Sequence, residues 1–199
     1  MISNLVIDGS IGAGKTTLIR NLKTRLESNP NYQFFEENVK SWSQEGWLEK
    51  YYTNIPRYAA SFQTRVLLSH IHQRVNIKHS DDVTNIFERS AITTVNVFSK
   101  MLVEDGMMDQ LEMNLHQQLL EMFNYQKPDL LIYLDTSPEN SYERLLKRAR
   151  NGESTISLDY LQKLDRIYKQ EKETLAKNVI VIDGNQSEDA ILNQVINLI

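Results

Sequence analysis

The chain has 199 residues, 41% apolar and 24% charged, with 7 Gly, 4 Pro and no Cys. This is the make-up of one globular domain, and it excludes collagen-like and low-complexity chains, a disulfide framework, a Cys zinc site and a thiol nucleophile. The formal net charge of −4 lacks the broad basic footprint of a duplex binder, no apolar stretch approaches a membrane span, and MISNLVIDGS does not read as a signal peptide; a cytoplasmic protein with no nucleic-acid and no membrane partner is expected.

Five short apolar runs punctuate the chain: 4–7 (NLVI), 32–35 (YQFF), 84–87 (TNIF), 130–134 (LLIYL) and 179–182 (VIVI). The spacers 15–28, 45–79, 91–126, 137–150 with 157–176, and 186–198 are long enough for helices. Such alternation predicts the α/β class, a doubly wound five-stranded parallel sheet with helices on both faces. No linker, repeat or charge block divides residues 1–199, which read as a single domain.

The first run leads directly into Asp8, Gly9, Ser10, Ile11, Gly12, Ala13, Gly14, Lys15, Thr16 and Thr17. Gly9, Gly14, Lys15 and Thr16 match GxxxxGK[ST], with a strand before and a helical pattern after. Glycines let backbone N–H groups converge on phosphate oxygens, and the start of the helix adds the positive end of its dipole. Lys15 is expected to bridge the β- and γ-phosphates and the Thr16 hydroxyl to face Mg²⁺, so residues 9–17 read as the ATP site. No Asn-Lys-x-Asp element of the guanine-reading type is present.

Ligands of an open parallel sheet sit at the carboxyl ends of its strands. There the second run meets Glu36 and Glu37, and the third meets Glu88, Arg89 and Ser90. An acid in that place can accept the proton of an attacking hydroxyl. Asp135 ends the fourth run, either as a second acid toward Mg²⁺ or, the favoured reading, as a turn residue.

Trp42, Trp47, Tyr51, Tyr52, Tyr58 and Phe62 crowd 21 residues and suit a flat, apolar base, although Trp47 and Tyr58 read better as helix packing. At 100° per residue, Leu67, Leu68, Ile71 and Val75 share an aliphatic face expected to enter the core, while the adjoining face offers Phe62, Gln63, Val66 and His70. A Gln amide there needs a partner, and a pyrimidine edge supplies both a donor and an acceptor. His70, His72, His79 and His116 do not form a metal set. Further on, Arg144, Lys147, Arg148 and Arg150 precede Asn151, Gly152, Glu153 and Ser154. Arg144 and Arg148 share a helix face, and the segment reads as a short basic lid over phosphate.

GSIGAGKTT, EENVKSW, FQT, ERS and RLLKRARNGES, in that order across nearly the whole chain, resemble the deoxynucleoside kinase family of the non-zinc thymidine, deoxycytidine and deoxyguanosine type. The resemblance implies a P-loop nucleoside kinase fold, ATP as phosphate donor, Mg²⁺ and a deoxynucleoside substrate. It implies that Glu37 is the base toward the 5′-hydroxyl, that Glu88 joins Thr16 at the metal, and that Arg89 orders the surrounding region. Lys15, Arg144 and Arg148 would face the transferred phosphate, with Arg150 next to them. Trp42, Phe62, Gln63, Val66, His70, Arg89, Thr94 and Phe98 would surround the base, and Tyr52 and Glu153 would meet the 3′-hydroxyl. The family usually reads Glu-Pro-Val where this chain has Glu37-Asn38-Val39; the doubled acid leaves the register open by one residue, and the spacing to Trp42 favours Glu37.

His70 and Thr94 stand where the deoxycytidine and deoxyguanosine branch carries an Arg–Asp pair, which points toward thymidine and other pyrimidines, with broad specificity as the wider reading. A homodimer is implied by the resemblance. The competing readings are a nucleoside monophosphate kinase such as a thymidylate kinase, disfavoured because paired acids repel an acceptor phosphate, and a regulatory P-loop ATPase.

Overall fold

Strand β1 (Asn4–Gly9, NLVIDG) is buried along its whole length, as a run without polar alternation must be when both faces of the sheet are covered. The computed structural model describes residues 2–77, 82–148 and 155–199. Around β1 lie β2 (Tyr32–Phe35), β3 (Thr84–Glu88), β4 (Leu130–Asp135) and β5 (Asn178–Asp183), in the order β2-β3-β1-β4-β5 and parallel throughout. The chain leaves β1 toward one edge and returns from β3 to the other, so the sheet changes direction at β1. This is where ligands of doubly wound sheets bind.

Alternate residues of β1 feed opposite layers. Leu5 and Ile7 pack with Leu18, Ile19 and Leu22 of α1 (Lys15–Arg25) and with Ile191 and Val195 of α10 (Glu188–Ile196). Val6 packs on the other side with Leu164, Ile167 and Tyr168 of α9 (Leu158–Glu171). A further cluster joins α2 (Val39–Gln44), α3 (Trp47–Thr53) and α4 (Ile55–Val75) through Trp42, Leu48, Tyr51 and Phe62.

The helical spacers differ from their expected extents in two places. Residues 45–79 do not form one helix: Gly46, at φ 79°, separates α2 from α3, and Asn54 begins α4 by accepting a hydrogen bond from the Arg57 amide, with Pro56 in the first turn. Residues 91–126 contain α5 (Ala91–Thr93), a π-helical segment (Thr94–Ser99), α6 (Lys100–Glu104) and α7 (Gln110–Met122), the last started by an Asp109–Glu112 capping box. Helix α8 (Pro138–Arg148) follows β4.

One expectation fails. Leu67 and Ile71 of α4 are core residues, but Leu68 and Val75 are 40% and 53% exposed. The buried arc of α4 is centred on Phe62, Val66 and His70 and ends at Ile71, so the last part of the aliphatic face turns outward.

Candidate active site

The loop after β1 wraps a cavity of about 520 Å³ that runs from the start of α1 to the aromatic cluster of α2–α4. Its phosphate-facing end is backbone. Gly12, at φ 84°, is pressed so closely on the Ser141 carbonyl that a Cβ would collide with it. Gly14, also left-handed, sits at the start of α1 without a side-chain cap, leaving the first N–H groups of the helix for an anion. The Lys15 ammonium lies folded back on the loop and donates to the Gly9 and Ser10 carbonyls at 3.0 and 2.7 Å. Burial, then the Arg89 charge, lowers its pKa to about 8. Ile11, Ala13 and Thr17 also line the cavity, whereas Gly9 and the buried Ser10, both expected there, do not. Arg144 and Arg148 reach the same cavity from α8, with Arg144 donating to the Ala13 and Gly184 carbonyls at 3.2 and 3.0 Å.

The ends of β1, β2 and β3 bring four charged side chains together: Asp8, Glu37, Glu88 and Arg89. Thr16 Oγ1 donates to Glu88 Oε1 at 2.7 Å, and the Glu37 amide approaches Glu88 Oε2 at 3.4 Å. Arg89 Nη1 lies 2.8 and 2.7 Å from the two oxygens of Glu37. Arg89 Nε also faces Asp8 at 3.5 Å, and Asp8 in turn accepts from Thr93 at 2.5 Å, Tyr168 at 2.8 Å and the Gly9 amide at 2.7 Å. Arg89 holds this position in the left-handed region at φ 61°, a conformation that a bulky residue adopts only when its surroundings enforce it.

The two acids are driven apart. Burial alone would raise the Glu37 carboxyl, but the Arg89 guanidinium and the Lys15 ammonium hold it below its ordinary value, so it is ionised at neutral pH. Burial, and then the neighbouring Glu37 carboxylate, push Glu88 upward. A bound divalent cation would favour the ionised form of this buried acid, and the Glu88 carboxylate beside the Thr16 hydroxyl fits such an ion, which would take its remaining ligands from phosphate and water. Among the described residues no group of three or more His, Cys, Asp or Glu gathers to hold a metal by itself.

At the far end Trp42, Tyr52, Phe62, Gln63, Val66, Thr94 and Phe98 line the cavity, all of them expected there from the sequence. Gln63 is buried and turned into this apolar slot. The Arg89 guanidinium lies 5.0 Å over the Phe98 ring, tying the slot to the charged cluster. Trp47 and Tyr58 lie outside the lining and pack in the aromatic cluster. His70 is also off the lining. It stands behind Glu37, with its Nε2 3.9 Å from that carboxylate, and burial lowers its pKa. Glu36 is exposed, whereas Glu37 points into the cleft. Asp135 is the last residue of β4 and does not line the cavity. Arg150 and Glu153 lie outside the described residues.

Three participants escaped sequence reasoning. Tyr160 joins the lining from the first turn of α9, where the Ser157 cap was the available signal. Asp8 and Tyr168, 160 positions apart, anchor Arg89 from behind, and no local pattern links them.

A family model described as deoxynucleoside kinase matches residues 5–199. Protein 029R of Invertebrate iridescent virus 3 is 34% identical over all of this chain and 97% of its own. The deoxyadenosine kinase of Dictyostelium discoideum is 34% identical over 94% of this chain and 73% of its own. Among solved structures, that of deoxyadenosine kinase from M. mycoides with products dCMP and a flexible dCDP bound has a similar fold, with a TM-score of 0.80 at 23% identity, covering 98% of this chain and 97% of that one.

Proposed function

The chain belongs to the deoxynucleoside kinase family, and on that premise we propose that it transfers the γ-phosphoryl group of ATP to the 5′-hydroxyl of a pyrimidine deoxynucleoside, thymidine foremost. The observation that carries this reading is the Glu37–Arg89 pair, an ionised acid fixed at the point where the phosphate loop opens into the aromatic slot. Glu37 accepts the hydroxyl proton as the new O–P bond forms and the bond from the γ-phosphorus to the departing ADP breaks, while Arg89 keeps the carboxylate aimed. Lys15 leaves the loop carbonyls for the phosphate oxygens, and Arg144 and Arg148 spread the charge that develops on the transferred group. Magnesium at Thr16 and Glu88 would neutralise phosphate oxygens and hold them in line.

Gln63 suits a base edge with one donor and one acceptor: one orientation of its amide pairs with the 4-oxygen and N3–H of thymine, and the flipped orientation pairs with cytosine. His70, neutral through burial and set behind Glu37, and Thr94 bring no ion pair to the slot, which supports a pyrimidine preference with some breadth. Purified protein supplied with ATP and Mg²⁺ should make ADP with thymidine at the highest kcat/KM and with deoxycytidine next. ADP formation only with thymidylate would instead establish a monophosphate kinase, and formation without any acceptor would establish a regulatory ATPase.

The reading extends to a cytoplasmic homodimer without nucleic-acid or membrane partners. In its support, Leu111, Leu115 and Met122 form an exposed stripe on α7, and α4, which packs on α7, carries the exposed Leu68. Among the described residues no helix is long and apolar enough to cross a membrane. Sedimentation should give twice the chain mass, falling to one chain in Leu115→Glu.

A further inference from the structure

Two walls of the aromatic slot come from different helices: Gln63 from α4 and Phe98 from the π-helical segment. Each is followed by a hydroxyl residue, Thr64 and Ser99, and the same buried imidazole bonds both. His116 of α7 meets Thr64 Oγ1 through Nε2 at 2.8 Å and Ser99 Oγ through Nδ1 at 3.0 Å.

The proton positions follow from the neighbours. Thr64 donates its hydroxyl proton to the Ala60 carbonyl at 2.8 Å, so it accepts from His116 Nε2–H. Nδ1 is then the bare nitrogen and accepts from the Ser99 hydroxyl. The neutral ring makes both bonds, and burial keeps the imidazole below its ordinary value.

The π-helical turn is what makes this link consequential. Such turns are rare and depend on outside support, because each carries an extra residue within the helical ladder. Here the widened turn sends Thr94 and Phe98 into the cavity, while the next residue, Ser99, meets α7. We propose that His116 is a positioning residue that sets the separation between the Gln63 wall and the Phe98 wall, and through it the affinity for the nucleoside. This rests on the reading that the slot takes the nucleoside and the loop takes ATP. The imidazole itself touches neither.

The test compares His116→Leu, which removes both bonds at similar bulk, with His116→Gln, whose amide keeps one donor and one acceptor. Steady-state kinetics are measured with each substrate varied in turn, alongside thermal melting. His116→Leu should raise the nucleoside KM roughly tenfold or more and leave the ATP KM within about twofold, with His116→Gln restoring most of the loss. Ser99→Ala and Thr64→Val each cut one bond from the far side and should raise the nucleoside KM by smaller amounts, which keeps the test decisive if His116→Leu does not fold. An unchanged nucleoside KM in the active variants, even with a lower Tm, overturns the proposal, as does a parallel rise in both KM values. A wild-type protein that phosphorylates no deoxynucleoside would overturn the functional reading instead.

Discussion

The two ends of the cavity are built by opposite means. The phosphate end is nearly continuous main chain, a loop shaped by glycines and closed by Lys15 on its own carbonyls. The nucleoside end is made of side chains carried in from α2, α3, α4, the π-helical segment and α9. A backbone cradle grips any polyphosphate and depends little on distant packing. A slot of side chains selects among bases, and it inherits the position of every helix that contributes to it.

The largest effect is expected where the two ends meet. Glu37→Gln keeps the shape and a hydrogen-bonding face toward Arg89 but cannot take a proton. Turnover should fall by roughly 10²–10⁴ while nucleoside binding persists, measurable by single-turnover kinetics and calorimetry; near-normal turnover would remove the acid from the chemistry. A smaller effect is expected within the slot. Gln63→Leu leaves the base edge without partners and should cost about 1–3 kcal/mol in kcat/KM for thymidine, with the ATP KM unchanged. A loss shared by both substrates would show that the two ends are not separable.

The smallest effect belongs to the phosphate end and is read through pH. Lys15 in the empty protein has its pKa lowered to about 8. Phosphate binds the protonated amine, so ATP affinity should hold below that value and weaken by up to about tenfold per unit above it. Binding should therefore take up a proton at high pH, visible as a buffer-dependent heat in titration calorimetry. No proton uptake about one unit above that pKa would show that burial does not perturb this lysine.

The same contrast decides what could be read from the sequence. Residues 9–17 are contiguous, and their spacing alone points to phosphate. β1 and β4 were legible because buried parallel strands carry unbroken apolar runs, and the half-buried β2 begins and ends where its short run does. In the slot, Trp42 and Gln63 were legible in the aromatic crowding and in the helix face they share with neighbours, whereas Phe98 was legible only through the family pattern, since nothing local joins it to them. Leu68 and Val75 were misplaced because a helix with apolar residues on most of its circumference does not announce which of them a neighbour will cover. The π-helical turn and the anchoring of Arg89 by Asp8 arise from tertiary packing and leave no periodic trace.

Arg89 leaves the sheet on a left-handed main-chain twist. A side chain emerging from φ 61° cannot slide to a neighbouring rung of the sheet, as an ordinary strand residue could. Its direction is therefore welded to the tip of β3, and the helices beyond can shift with different bases without loosening the reactive pair. Tolerance toward several nucleosides and strictness about where the proton goes can thus coexist in one small protein.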